Sequence, residues 1–103
     1  MRIVLALLSV AVVLVAAGPA SASKRDEAEA AVQAQLARLK VDPGRIKSIY
    51  LAPVGYAQDA PVQSYTGWVA FTDCRGNLVI DLTQTNAVRS IYTTGACTVP
   101  GVD

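Results

Sequence analysis

The chain has 103 residues, nine of them Lys or Arg, eight Asp or Glu and none His, so it is close to electrically neutral. A protein that binds nucleic acid independently of sequence needs a surplus of basic residues, and a segment that binds a membrane surface needs a basic cluster. The near-neutral charge therefore predicts neither sequence-independent binding of nucleic acid nor binding to a membrane surface. The lack of His removes the commonest general base and metal ligand. The length allows a single domain.

The N-terminal residues have the pattern of a secretory signal peptide. Arg2 precedes an apolar run at residues 3–17, which is followed by a Gly-Pro pair and by three small residues at positions 20–22. These are the three parts of a signal peptide, and the run is shorter than the roughly 20 residues of a membrane-spanning helix. We predict cleavage after Ala22. Cleavage after Ala20 and retention as an uncleaved anchor are the alternatives.

Residues 23–103 then form an exported domain, periplasmic or secreted, with no membrane span after cleavage. Removing Arg2 leaves eight basic and eight acidic residues. About 80 residues make a small core, which a disulfide often reinforces in an oxidising compartment. The two cysteines allow one pairing, Cys74 with Cys97. In the chain-entropy model, this disulfide adds roughly 3 kcal/mol to the free energy of unfolding. A redox pair is the alternative, but Cys-x-x-Cys spacing is absent.

The domain begins with a predicted amphipathic helix. Ser23 or Asp26 can cap its first turn, and residues 42–44, Asp-Pro-Gly, predict its end. Apolar residues repeat at three- and four-residue spacing and form one stripe: Ala28, Val32, Leu36 and Leu39.

Four strands are predicted to follow, at residues 45–51, 65–72, 78–83 and 87–94. Residues 52–63 are predicted as a loop, where a binding function could lie, and residues 95–103 as a tail held only by Cys97. The alternation of apolar and polar residues is irregular in two of these strands. Ile46 is out of phase in the first strand, and in the last strand Val88 and Tyr92 lie on the face opposite to Ile91. The predicted inward set is Ile49, Leu51, Val69, Phe71, Leu78, Ile80, Leu82 and Ile91.

One helix followed by an antiparallel meander predicts an α+β domain in which the N-terminal helix packs on a four-stranded sheet. Alternation sends Val79, Asp81 and Thr83 to the outer face. It also sends Tyr50, Trp68 and Tyr92 there, from three different strands. A small monomer does not need a contiguous aromatic patch on a face that contacts solvent, so this patch is the candidate binding face. The alternative is that these side chains only cover the sheet.

Catalytic and cofactor motifs are absent from the sequence. No glycine-rich phosphate loop occurs, and Asp42, Asp59, Asp73 and Asp81 are scattered without the spacing of a calcium loop. Asp81 is the one carboxylate within an apolar run, and alternation places it toward solvent. We therefore predict no enzyme activity, no cofactor and no metal.

Two resemblances bear on these expectations. Residues 73–82, Asp-Cys-Arg-Gly-Asn-Leu-Val-Ile-Asp-Leu, and residues 88–101 resemble the C-terminal half of small uncharacterised exported proteins of Gram-negative bacteria. That resemblance implies a periplasmic location and a disulfide, and implies no activity. Residues 63–67, Gln-Ser-Tyr-Thr-Gly, are similar to the Gln-x-Val-x-Gly inhibitory loop of cystatins, which implies inhibition of cysteine proteases. No Pro-Trp second loop follows here.

Three alternative functions are therefore considered, from the most to the least favoured. The first is a binding or adaptor domain that uses the outer sheet face, with another envelope protein as partner and the domain itself a monomer or weak dimer. The second is a cystatin-like inhibitor. The third is a structural envelope protein without a specific ligand.

Overall fold

A computed structural model describes residues 23–55 and 61–102. The predicted signal peptide lies outside these residues, as do residues 56–60 of the predicted loop. The elements are helix α1 (Lys24–Arg38), a 3-10 turn (Pro43–Arg45) and strands β1 (Ile46–Val54), β2 (Ser64–Phe71), β3 (Asn77–Leu82) and β4 (Val88–Thr93). The strands form one antiparallel sheet in the order β1-β2-β3-β4. The predicted α+β fold is confirmed.

Helix α1 begins at the predicted cap. The Ser23 hydroxyl accepts a hydrogen bond from the backbone N–H of Asp26 at 3.0 Å, which satisfies one of the free donors of the first turn. The side chains of Ala28, Val32 and Leu36 are buried against the sheet, as the apolar stripe predicts. Among the described residues, no helix is long and apolar enough to cross a bilayer.

The helix ends before the Asp-Pro-Gly segment at residues 42–44 that predicted its end. Lys40 has a positive φ of 58°, and its N–H donates to the carbonyl of Ala37 at 3.0 Å. The N–H of Val41 donates to the carbonyl of Leu36 at 3.1 Å. This pair of bonds is a Schellman motif, which satisfies carbonyls that the last turn leaves open. The segment at residues 42–44 instead starts the 3-10 turn.

Gly67 in β2 lets the helix approach the sheet closely. A Cβ atom at this position would lie 2.8 Å from Cγ2 of Val32. Gly67 pairs with Leu51 on one side and Ile80 on the other. The helix therefore packs over the middle of the sheet, on the face that carries the aliphatic side chains.

A bulge in β1 explains why Ile46 breaks the alternation. Ile46 pairs with Phe71 and Ser48 with Ala70, so Lys47 is an extra residue without a partner in the register. The bulge turns both Ile46 and Ile49 toward the helix, where they pack against the core.

The predicted loop at residues 52–63 is shorter than expected, because β1 continues to Val54. Pro53 lies inside the strand and pairs with Tyr65. Proline has no N–H to donate, but β1 is an edge strand and needs donors on one side only. The proline that suggested a loop is therefore accommodated in the sheet.

A second bulge fixes the register of β4, which the sequence left open. Asp81 pairs with Ser90 and Leu82 with Val88, so Arg89 is the extra residue. The bulge places Val88 on the helix face together with Ile91, and leaves Tyr92 on the other face.

The core includes the whole predicted inward set, with Ile49 and Ile91 only partly buried. The prediction of a tail held only by Cys97 is wrong. Val99 is 2% exposed, and Val102 also packs against the core. The tail therefore adds apolar side chains to the core.

Arg45 ties this end of the domain together. Its Nε donates to Oδ2 of Asp73 in the β2–β3 turn at 2.7 Å, and Nη2 donates to the carbonyl of Thr98 in the tail at 3.1 Å. The guanidinium carbon lies 4.6 Å from the centre of the Phe71 ring. One side chain thus links the 3-10 turn, the β2–β3 turn and the tail.

Candidate functional site

The pairing register places the three predicted aromatic residues in one row across the sheet. Each residue of the row is the direct partner of the next, from the β1 edge to the β4 edge. We call it the outer row: Tyr50, Trp68, Val79 and Tyr92. The adjacent row, which includes Gly67, faces the helix, so alternation puts the outer row on the opposite face, here called the outer face.

Exposure differs sharply along the outer row. Tyr50 is 60% exposed and Tyr92 is 43% exposed, while Trp68 is half-buried and Val79 is fully buried. Val79 was predicted to point outward, and its register agrees, but it has no exposed surface. Trp68 and Tyr92 are its direct cross-strand partners and are therefore the side chains placed to cover it.

A polar group borders the outer row on one side. The hydroxyl of Thr66 donates to Oδ1 of Asp81 at 3.0 Å, and Nη1 of Arg89 lies 3.7 Å from Oδ2 of the same carboxylate. The Asp81 side chain is 26% exposed, so it is less solvated than the sequence predicted. Each of its two oxygens therefore has a polar or charged neighbour.

On the other side of the outer row the neighbouring residues are small or polar. Ser48 pairs with Ala70, and Ala70 pairs with Asn77. Side chains of this size leave the aromatic rings accessible from that side.

The cysteines form the predicted disulfide. Their Cα atoms are 5.3 Å apart, and Cys97 is 2% exposed. The bond joins the β2–β3 turn to the C-terminal tail. Beside it, a Cβ on Gly76 would overlap the main-chain oxygen of Thr94, and Gly76 has a φ of 137°. This tight packing of main chain indicates a structural bond.

The cystatin-like segment is not an exposed loop. Ser64, at the start of β2, is 3% exposed, and Gly67 is buried beneath Val32. Both residues are engaged in the sheet, so neither can enter the cleft of a protease without unfolding β2.

Candidate metal ligands do not cluster in the described parts of the chain. Residues 23–55 and 61–102 contain no group of three or more Cys, Asp or Glu side chains that could hold a metal ion. The chain has no His, and both of its cysteines are in the disulfide.

Comparison of the chain with models of known protein families, with curated proteins and with solved structures finds no match.

Proposed function

We propose that this protein is a non-catalytic binding or adaptor domain of the cell envelope, and that it captures another envelope protein on the outer row. The observation that carries the proposal is the alignment of Tyr50, Trp68 and Tyr92 across the whole sheet, on the face opposite α1, with both tyrosines exposed. Tyr and Trp are enriched at the centres of protein interfaces, where they add large contact areas with little loss of side-chain freedom.

The surroundings of the row fit this role. An apolar centre bordered by a polar rim is the usual layout of a protein interface. Trp68, flanked by Tyr50 and Tyr92, supplies the centre, and the Thr66–Asp81–Arg89 group supplies a polar rim. The location in the envelope is supported by the signal-peptide pattern. The disulfide and the lack of a membrane-spanning helix among the described residues are compatible with export.

The two exposed tyrosines are the residues to change in a test. Trp68 is half-buried and covers Val79, so its removal would lower stability and binding together. Tyr50 and Tyr92 expose more of their surface, and changing them to Ser should leave the fold intact. Val62, 37% exposed and outside the outer row, offers a matched control for loss of an exposed apolar side chain.

The experiment is a crosslinking pull-down from envelope extract with the oxidised protein expressed from the complete sequence. The unchanged protein and Val62→Ser should retain the same partner, and Tyr50→Ser combined with Tyr92→Ser should lose it. Melting curves should show that all three proteins are folded at the temperature of the pull-down. Equal capture by all of them, or capture by none, would contradict a binding role for the outer row.

The other two functions receive less support. A protease inhibitor needs an accessible loop, whereas Ser64 and Gly67 are buried in β2. A panel of cysteine proteases left fully active by the protein would remove that alternative. If the protein is structural and has no specific ligand, no partner should remain bound at moderate salt in the pull-down.

A further inference from the structure

The two edges of the sheet are protected to different degrees. The edge strands are β1 and β4. β1 contains Pro53, which has no N–H to donate, and the exposed Lys47 at its bulge, and both features disfavour pairing with a further strand. β4 contains neither Pro nor Lys, and its bulge lies at Arg89, near its start. From Ser90 onward, β4 is therefore a regular edge strand without such protection.

The hydrogen-bond pattern shows which main-chain groups of β4 point away from the sheet. Bonded and non-bonded residue pairs alternate along an antiparallel ladder. The N–H of Thr94 donates to the carbonyl of Asn77 at 2.8 Å, so these two residues form a bonded pair. Ile91 pairs with Ile80 three steps further along the same register, so that pair is non-bonded. The N–H and the carbonyl of Ile91 therefore point outward, in the direction from which a further strand can bind.

We infer that β4 is the interface of a homodimer, in which two copies of the strand pair antiparallel about a two-fold axis at Ile91. Each Ile91 donates its N–H to the carbonyl of the other, and the two sheets join into one sheet of eight strands. The contact is self-complementary, because the same residues supply the donors and the acceptors on both sides. The assembly ends at the dimer, because the edges of the joined sheet are then the two protected β1 strands.

The side chains of β4 favour a second copy as the occupant. Ile91 is only partly buried, on the helix face, and in the dimer it meets its own copy there. Ser90 and Tyr92 are exposed on the outer face, and each lies opposite the other across the axis. Arg89 is the one charged residue of β4, and Nη1 of its side chain lies 3.7 Å from Oδ2 of Asp81 in the same copy. The two Arg89 residues are four positions apart along the paired strands, about 13 Å, so no like charges meet.

The dimer would place both outer rows on one side of the joined sheet, since the two-fold axis is perpendicular to the sheet. A partner with two binding sites can then be held at both rows. The inference itself depends only on the main chain and side chains of β4, and stands apart from the proposed function.

The first test is a dilution series of the oxidised, ¹⁵N-labelled protein, expressed from the complete sequence, followed by sedimentation velocity and NMR. Two short paired strands bury less than a standard interface, so we expect a Kd on the order of 100 μM. The amide signals of Ser90, Ile91 and Tyr92 should shift with protein concentration, and those of Tyr50 and Trp68 should stay in place.

Two results of this series would overturn the inference. The first is a monomer at every concentration up to about 1 mM, ten times the expected Kd. The second is a set of shifts centred on Tyr50 and Trp68, because the two copies would then meet through their outer faces.

Two variants of Ile91 separate hydrogen bonding from packing. Ile91→Pro removes the outward N–H, as Pro53 does in β1, and keeps the bonds to β3, to which Ile91 donates none. It should weaken dimerisation at least about tenfold, because two hydrogen bonds are lost. Ile91→Ala keeps the N–H and loses side-chain contacts, and should weaken dimerisation less than about threefold. Equal dimerisation by the two variants, with amide signals of folded proteins, would contradict pairing at β4.

A cysteine on the axis tests the register. The Cα atoms of a bonded antiparallel pair lie about 5.5 Å apart, which is within the range that a disulfide can span. Ile91→Cys should therefore form a disulfide between two copies, seen as a dimer on a non-reducing gel. Ile49→Cys is the matched control, because Ile49 is also partly buried on the helix face of an edge strand, and it should stay a monomer. Equal crosslinking at the two positions would overturn the register. Every variant leaves the outer row unchanged and no readout uses envelope extract, so failure here and failure of the pull-down are separate results.

Discussion

The two faces of the sheet bury side chains in different ways. On the helix face, Val69 is fully buried between the strands and α1. On the outer face, Val79 is also fully buried, and its direct cross-strand partners are Trp68 and Tyr92. The first is enclosed by a second layer of structure, and the second is covered by neighbouring side chains of its own row.

The difference shows that burial alone does not identify the core of a small domain. A side chain under a helix is held by main chain that cannot move without unfolding. A side chain under an indole and a phenol is held by groups that can rotate or exchange their contacts with a partner. The outer face can therefore change its surface at little cost, which suits a binding site, whereas the helix face cannot.

The largest expected difference between the two faces is the effect of added side-chain volume, which should be most destabilising at Gly67. In Gly67→Val the new side chain would press on Val32, whose β-branched side chain has little freedom in a helix, and would push α1 away from the sheet. We expect a loss of about 3 kcal/mol in the free energy of unfolding, the upper range for overpacking. Urea unfolding monitored by circular dichroism measures it.

Ala70→Val is the control for that change. It adds the same branched side chain to the same strand, but on the outer face, where the residue is only partly buried and its partners Ser48 and Asn77 are polar. The free energy of unfolding should change by less than about 0.5 kcal/mol. A similar loss in both variants would mean that the two faces resist added volume equally.

The next largest expected difference between the two faces is the loss of stability when methyl groups are removed. Val69→Ala and Val79→Ala delete the same atoms from two fully buried sites. Under the helix the cavity cannot close, so Val69→Ala should cost about 2.5 kcal/mol, while collapse of the outer row should limit Val79→Ala to about 1 kcal/mol. Equal losses would mean that the outer row is as rigid as the core.

Covering of Val79 by Trp68 can be tested with a double-mutant cycle. Trp68→Ala should cost about 1.5 kcal/mol, and the combined variant Trp68→Ala with Val79→Ala should cost at least about 0.5 kcal/mol less than the sum of the two single losses. Unfolding is followed by circular dichroism, because Trp68 is the only tryptophan and its fluorescence disappears in the variant. Additive losses would show that another group covers Val79.

Much of the fold follows from local sequence. Alternation in β2 and β3 and the apolar stripe of α1 identify the helix face, and two cysteines permit only one disulfide. The alternation and the stripe are strong signals because each depends on residues close together in the chain, and the disulfide follows from the count of two cysteines.

Features that depend on distant partners could not be predicted. The bulges at Lys47 and Arg89 arise from pairing with neighbouring strands, so the alternation only shows that something is irregular there. Val99 lies in a short tail without an alternating or helical apolar pattern, and its burial depends on the disulfide and on Arg45. The outward direction of the main chain at Ile91 is set only by the pairing of β4 with β3.

The smallest expected effect concerns the C-terminal end of α1, the element that makes the two faces different. Lys40 occupies the left-handed position of the Schellman motif with a φ of 58°, where Gly is preferred because it has no Cβ. Lys40→Gly relieves that strain but removes a positive charge near the end of the helix dipole and makes the unfolded chain more flexible.

The strain should outweigh the other two effects, so Lys40→Gly should raise the free energy of unfolding by about 0.5 kcal/mol. Lys40→Gln removes the same charge and keeps the Cβ, and should lower it slightly. The difference between the two variants in urea unfolding isolates the backbone contribution. A more stable helix end should protect the amides of α1 from hydrogen exchange and leave those around Tyr50 and Tyr92 unchanged. Protection that spread equally to the outer row would mean that the two faces open together.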